Sequence, residues 1–362
     1  MKIPFNVLDR QFFKYQDEYE KKAIEVLRSG WYVLGKEVSE FEKEFAEYTE
    51  SKYAIGVDNG LNALVLTFRA LEIGDGDEVL VQGNTYIASV MGISMNGATP
   101  VFIEPDQHYN MDIDRIEEKI NSKTKAILVT HLYGQASNMD KIVDLCKKYD
   151  LYLVEDCAQS HGANFNSKRT GSFGIGCFSF YPSKNLGCFG DGGAITTSDE
   201  KIAQRLKTLR NYGSEKRYHN EVVGYNSRLD EIQAGLLRVK LSHLDELTNE
   251  REDIANKYLD SIDNPKIKLP KLLEKATNVW HLFVVEVEDR ENFQKYMNEM
   301  EIGTVIHYPI PPHLSEAYKY LGYKKGDFPI TEKYAETIIS LPLYIGMTDE
   351  EIEYVIKAVN SY

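Results

Sequence analysis

Lys184 and Asp156 are the residues whose types and surroundings could do chemistry together. Each follows an apolar run of strand character. Leu151-Tyr152-Leu153-Val154 ends in Glu155-Asp156, and Phe178-Ser179-Phe180-Tyr181-Pro182-Ser183 leads to Lys184. Ligands of α/β sheets collect at the carboxyl ends of strands. A lysine placed there can form an imine with an aldehyde cofactor when its surroundings keep the amine partly neutral. A carboxylate on the neighbouring strand supplies the other half, because pyridoxal phosphate is an effective electron sink only while its ring nitrogen stays protonated. Taken singly, the aspartate reads as a turn or helix cap and the lysine as a solvated charge. Ser179 changes that reading, since a hydroxyl just before the lysine can bind a phosphate, and the glycines from Gly187 to Gly193 leave room for a flat ring against the backbone.

The elements that must position these residues alternate along the chain. Apolar residues at helical spacing mark Gln16 to Arg28 and Val38 to Tyr48 as helices. Strands are expected at Tyr53–Val57, Val79–Gln82, Pro100–Ile103, Ala126–Thr130, Leu151–Val154 and Ala194–Thr197. Helices are expected between them at Leu61–Leu71, Tyr86–Met95, Ile113–Lys119 and Met139–Tyr149, and after the last strand from Asp199 to about Arg210. Such alternation implies a mostly parallel sheet covered on both faces. The turn Asp58-Asn59-Gly60 leaves the backbone N–H groups of Gly60 and Leu61 free at a helix start, a place suited to an anion. Tyr225-Asn226-Ser227-Arg228-Leu229-Asp230 is expected to open one long helix, capped by Ser227 or Asn226. Beyond it the pattern shortens: strand Trp280–Val287, helix Arg290–Met300, strand Thr304–His307, then helices Thr331–Ile339 and Asp349–Val359. The expected organisation is therefore a large domain, residues 1–250, and a small α+β domain, residues 251–362.

A chain of 362 residues with 43% hydrophobic content can build two cores. Its formal charge of −14 argues against a nucleic-acid surface. An anionic substrate must then meet local basic groups, and the loop Asn211 to Asn220, which carries Lys216 and Arg217 among aromatics, is a place where a diphosphate and a base could both be held. Cys146, Cys157, Cys177 and Cys188 have no metal-ligand spacing and fit a reducing cytoplasm. No stretch approaches the ~20 apolar residues of a membrane span, no Gly-x-Gly-x-x-Gly follows the first strand, and no Walker-type loop occurs.

Taken in order, Asn59-Gly60-Leu61-Asn62-Ala63-Leu64, Glu155-Asp156-Cys157-Ala158-Gln159-Ser160-His161-Gly162-Ala163, Phe178-Ser179-Phe180-Tyr181-Pro182-Ser183-Lys184-Asn185, Gly190-Asp191-Gly192-Gly193 and Gly224-Tyr225-Asn226-Ser227-Arg228-Leu229-Asp230 resemble the sugar-nucleotide aminotransferases of the DegT/StrS family. The resemblance spans nearly the whole chain. It implies an α/β, aspartate aminotransferase-like fold (fold type I) and a homodimer with shared active sites.

It also implies roles. Lys184 is the imine lysine and proton shuttle, Asp156 the partner of the ring nitrogen, Gln159 the partner of the ring hydroxyl, and Tyr86 the stacking aromatic. Gly60, Leu61 and Ser179 match phosphate contacts, and Asn226 matches the one that arrives from the second subunit. Tyr181, Arg228, Tyr308, Lys216 and Arg217 are assigned to the substrate, and no metal is expected.

The implied reaction moves an amino group from glutamate to a nucleotide-diphosphate keto sugar. The turn at Asn59, the Gly30–Gly35 segment, Tyr181 and the His307–His313 segment look most like the branch acting at C-3 of dTDP-3-keto-6-deoxyhexoses. Three rivals remain: a C-4 transaminase on a dTDP- or UDP-4-keto-6-deoxy sugar, a sugar dehydratase of the same family, and a non-catalytic regulatory protein. The dehydratases are associated with histidine at the position of Lys184.

Overall fold

The computed structural model describes every residue except Arg217, so the expectation for that side chain lies outside the described residues. In chain order, α1 (Asp9–Lys14), α2 (Gln16–Ser29) and α3 (Lys36–Tyr48) precede β1 (Tyr53–Val57). There follow α4 (Gly60–Ala70), β2 (Glu78–Gln82), α5 (Ile87–Ser94), β3 (Thr99–Ile103), β4 (Thr124–Thr130), α6 (Met139–Tyr149) and β5 (Tyr152–Asp156). A short hairpin, β6 (Asn164–Phe165) and β7 (Lys168–Arg169), leads to β8 (Ile175–Ser179) and β9 (Gly193–Thr197). After α7 (Glu200–Arg210) come the ribbon β10 (Ser214–Lys216) and β11 (His219–Asn220), then α8 (Glu231–Ser242) and α9 (Leu244–Ser261). The remainder is β12 (Ile267–Lys268), β13 (Phe283–Val287), α10 (Arg290–Glu299), α11 (Pro329–Thr337), β14 (Ile338–Leu341) and α12 (Asp349–Ser361).

The main sheet has the order β1-β9-β8-β5-β4-β2-β3. Its pairs are parallel except where β9 meets β1 and β8. The reversal of β9 places Gly193 opposite both Val57 and Ser179, so the glycine corridor lies at the carboxyl ends of β1 and β8. Both faces are covered. Val79 and Val81 pack into one core with Leu64, Phe68 and Leu206, while Leu80, Ile127 and Val129 pack into another with Ile142 and Cys146. This is why Ala126 to Val129 is an unbroken apolar run rather than an alternating one. Truncating a fully buried member such as Leu128 to alanine would cost about 2–5 kcal/mol.

The C-terminal part is an antiparallel sheet, β12-β13-β14, packed around Phe283, Val285, Phe293, Ile352 and Val355. Ile3 joins this core from the amino terminus. Its N–H donates to the Glu301 carbonyl at 2.9 Å, and its carbonyl accepts from the Gly303 N–H at 2.8 Å.

Several expected elements differ. The expected long helix is two, because His243 leaves the helical path and its ring stacks on Tyr15 at 3.9 Å. Neither Ser227 nor Asn226 caps it. The Ser227 hydroxyl donates to Asp58 Oδ1 at 2.5 Å, and Asp230 is the residue at the helix start. Residues 113–119 form two 3₁₀ turns, as Ile116 alone among them is buried, too little to hold a helix. Ile338 and Ile339, expected as a helix end, pair with β13, where β-branched residues fit the sheet. In the expected strand 304–307 only Val305 bridges to Ser340, and the chain then turns away to bring His307 and Tyr308 to the main sheet.

Candidate active site

The site is built on the carboxyl ends of β1, β4, β5 and β8. At the first of these, Asn59 is extended and its side chain accepts the Asn62 N–H at 2.8 Å, which caps α4. The preceding helical N–H groups, those of Gly60 and Leu61, have no intrahelical partner. Gly60 is there because of a close approach: a Cβ on it would lie 2.5 Å from the Ser179 Cβ, so only glycine lets that serine stand against the helix start. Gly193 is fixed for the same reason, since its Cβ would come within 2.6 Å of the Asn59 backbone. Two amides and a hydroxyl thus converge on one point, a donor set suited to a phosphate.

Asp156, the last residue of β5, accepts the Ala158 N–H on Oδ1 at 3.1 Å and the Ser89 hydroxyl on Oδ2 at 2.6 Å. It lines the same cleft as Lys184, a space of about 680 Å³. Lys184 keeps part of its surface open to that cleft. Burial pushes its amine down from the usual 10.5 to about 8, against the opposing pull of the Asp156 carboxylate. An amine in that range is neutral often enough at physiological pH to form an imine. Gln159 is held at both ends: its Oε1 accepts the Tyr133 N–H at 2.7 Å, and its Nε2 donates to the Tyr308 hydroxyl at 3.1 Å. Tyr86, at the start of α5, is half exposed to the cleft, with its ring centroid 4.9 Å from that of Tyr308.

Tyr181, which is exposed, and Tyr308 both line the same cleft. Asn226, Lys216 and Arg228 lie outside it in this chain. Asn226 is exposed and its backbone bridges to Asn211, while the Arg228 guanidinium donates to Asn211 Oδ1 at 3.1 Å and sits 5.2 Å over the Tyr212 ring. Lys216 is exposed on the ribbon.

Two residues at or behind the cleft, Ser89 and His281, were not expected from the sequence, and His307 entered only as part of the 307–313 segment. Ser89, behind Asp156, had one sequence signal, a serine among the apolar residues of the first turns of helix Ile87–Ser94. His281 and His307 face Lys184 from the C-terminal part. Burial and the nearby ammonium push His307 down to about 4 and His281 well below its usual value, so both rings are neutral. His281 Nδ1 meets Asn185 Oδ1 at 3.2 Å, next to the lysine. Their signal was weak because a histidine beside a strand has no period of its own.

A lysine and a carboxylate facing one cleft at the carboxyl ends of a mostly parallel sheet, beside a phosphate cradle, define a pyridoxal phosphate enzyme of the aspartate aminotransferase-like fold. The chain belongs to the DegT/DnrJ/EryC1/StrS aminotransferase family, whose profile matches residues 14–360. Over 362 residues it is 54% identical to the dTDP-3-amino-3,6-dideoxy-alpha-D-galactopyranose transaminase of Aneurinibacillus thermoaerophilus, covering 99% of each chain. Among solved structures, it is similar to Streptomyces venezuelae DesV in complex with a ketimine intermediate, with a TM-score of 0.98 and 43% identity over 99% of this chain and 98% of that one. It is also similar to NtdA of Bacillus subtilis with bound cofactor PMP, with a TM-score of 0.91 and 29% identity over 99% and 84%. The protein is a pyridoxal phosphate-dependent aminotransferase. Among the described residues no helix is long and apolar enough to cross a membrane.

Proposed function

We propose that the protein transfers the amino group of glutamate to C-3 of a dTDP-linked 3-keto-6-deoxyhexose, giving a dTDP-3-amino-3,6-dideoxyhexose, and that it works as a homodimer in the cytoplasm. The observation that carries the reading is a half-buried, partly neutral Lys184 amine sharing a cleft with Asp156 and a phosphate cradle. The choice of sugar and of C-3 rests on the likeness to the Aneurinibacillus transaminase along both full chains. A boundary near residue 250, between a large cofactor-binding domain and a small one, is supported by Ile254, Ala255 and Tyr258 of α9 packing with the C-terminal core.

When bound, pyridoxal phosphate supplies an electron sink for the charge that develops as a proton leaves the carbon bearing the amine. Lys184 would anchor the cofactor, and its amine would carry a proton at the reacting carbon in general acid–base steps usually worth about 10²- to 10⁴-fold. Asp156 holds the proton of the ring nitrogen. Gln159 binds the ring hydroxyl, with its own orientation fixed by Tyr133 and Tyr308. The Gly60 and Leu61 amides and the Ser179 hydroxyl hold the phosphate, joined by Asn226 of a second subunit. Tyr86 covers the ring and excludes water. Tyr181 and Tyr308 receive the sugar, and Lys216, Arg217 and Arg228, which like Asn226 would act from a second subunit, receive the nucleotide diphosphate.

C-3 and C-4 are neighbouring atoms, so the ring needs to turn only slightly to present the other ketone. The enzyme is therefore incubated with glutamate and either the 3-keto or the 4-keto dTDP-6-deoxyhexose, and the amine is located by NMR. Nitrogen at C-3 is expected. Nitrogen at C-4 would reject the regiochemistry and leave the aminotransferase assignment standing.

A further inference from the structure

The Asp156 carboxylate is the end of a buried chain of hydroxyls. Ser89 Oγ lies 2.6 Å from Asp156 Oδ2, Thr85 Oγ1 lies 2.7 Å from Ser89 Oγ, and Thr130 Oγ1 lies 3.0 Å from Thr85 Oγ1. The three side chains come from α5, from the loop before it and from the end of β4, and all are buried. A hydroxyl has one proton to give, and an ionised carboxylate can only accept. The direction of every bond follows from the charged end: Ser89 donates to Asp156, Thr85 to Ser89 and Thr130 to Thr85. Three O–H dipoles point the same way, and because all three side chains are buried each strengthens the next.

A buried helical serine commonly turns its hydroxyl back to the carbonyl one turn earlier. Ser89 turns to the carboxylate instead, from a helix whose other buried side chains, Val90 and Ile93, are apolar. Together with the Ala158 N–H on Oδ1, this restrains both carboxylate oxygens while leaving each a free lone pair.

We propose that Ser89, backed by Thr85 and Thr130, is a positioning residue for transamination, which orients Asp156 and keeps the negative charge on it opposite the ring nitrogen of the cofactor. The proposal rests on the reading of Asp156 as the partner of that nitrogen. Donation to a carboxylate favours its charged form. Without the Ser89 hydroxyl the shared proton moves from the nitrogen toward the carboxylate, and the ring loses part of its capacity as an electron sink.

The test uses holoenzyme reconstituted with pyridoxal phosphate labelled with ¹⁵N in the ring, in wild type and in the Ser89→Ala, Ser89→Thr, Thr85→Val and Asp156→Asn variants. Asp156→Asn should move the ring-nitrogen signal to the neutral position, and Ser89→Ala should move it part of the way. Ser89→Ala should also lower kcat about ten-fold or more, the scale of a lost hydrogen bond to a charged group, with KM for the nucleotide sugar within about two-fold. Thr85→Val should act in the same direction and less, and Ser89→Thr, which keeps the hydroxyl, should restore most of both readouts. A wild-type nitrogen signal in Ser89→Ala alongside a displaced one in Asp156→Asn would overturn the proposal alone. A wild-type signal in Asp156→Asn would overturn the reading beneath it. If Ser89→Ala does not fold, the near-isosteric Thr85→Val decides, and an unmoved signal there counts against the chain.

Discussion

Gln159 and Tyr308 meet across the gap between the main sheet and the C-terminal part: the amide of one donates to the hydroxyl of the other at 3.1 Å. A residue that follows β5 is thereby tied to the segment that carries His307, so two walls of the cleft share a hydrogen bond. Tyr308→Phe removes the acceptor and leaves a buried N–H unpaired, at a cost of about 1–3 kcal/mol. Its kcat/KM for the nucleotide sugar should fall about ten-fold. In a double-mutant cycle with Gln159→Ala the two losses should be less than additive, and strictly additive losses would show that the contact does no coupling.

Lys184→Ala should abolish the visible absorbance of the lysine-bound cofactor and nearly all turnover, with the far-UV circular dichroism and melting transition of a folded protein. Lys184→Arg should fail equally, since a guanidinium is not neutral enough to form an imine. Near-normal transamination by either variant would sink the assignment.

The apoenzyme should gain stability with rising pH from about 7 to 8.5. Burial pushes Lys184 down to about 8, and burial with the neighbouring Arg251 guanidinium pushes Lys240 down to about 7. In the unfolded chain both stay protonated to about 10.4. Between the folded and unfolded values the unfolded chain binds more protons, so stability rises with pH; below the folded values the contribution is flat. Burial raises the four thiols, which act in the opposite direction above about pH 8.5. The melting temperature of wild-type apoenzyme minus that of Lys240→Met should rise with pH across the window, and a constant difference would contradict this.

Subunit mixing tests whether the site needs two chains. Asn226 lies outside the cleft of its own chain. If it serves a partner's phosphate, Asn226→Ala and Lys184→Ala chains, each inactive, should recover part of the activity in mixed dimers, because one of the two sites then has both residues. No recovery despite proven exchange would place the whole site within one chain.

Much of this was legible beforehand, for physical reasons. Strands buried on both faces announce themselves as apolar runs such as Ala126 to Val129, and the local chemistry of Asn59-Gly60 marks a helix start wherever it occurs. Lys184, Asp156 and Ser179 were readable because each ends or follows such a run. The break at His243 was hidden, since it depends on a ring from Tyr15 more than two hundred residues away. So was the pairing of Ile338 and Ile339 with β13, where a helical period and a β-branched pair compete and only the partner strand decides. The hydroxyls behind Asp156 are ordinary residues until three elements bring them together.

The seating of Ile3 against residues 301–303 bears on the order in which the molecule can be completed. A ribosome delivers Ile3 some three hundred residues before its partners, roughly a quarter of a minute to a minute at about 5–20 residues per second. Through that interval the main sheet can form while the amino terminus waits. Phe5, whose ring lies 5.8 Å from that of His307, waits with it. The wall of the cleft that carries His307 and Tyr308 is therefore completed by two segments made far apart in time, and a chain stalled before residue 301 lacks that wall.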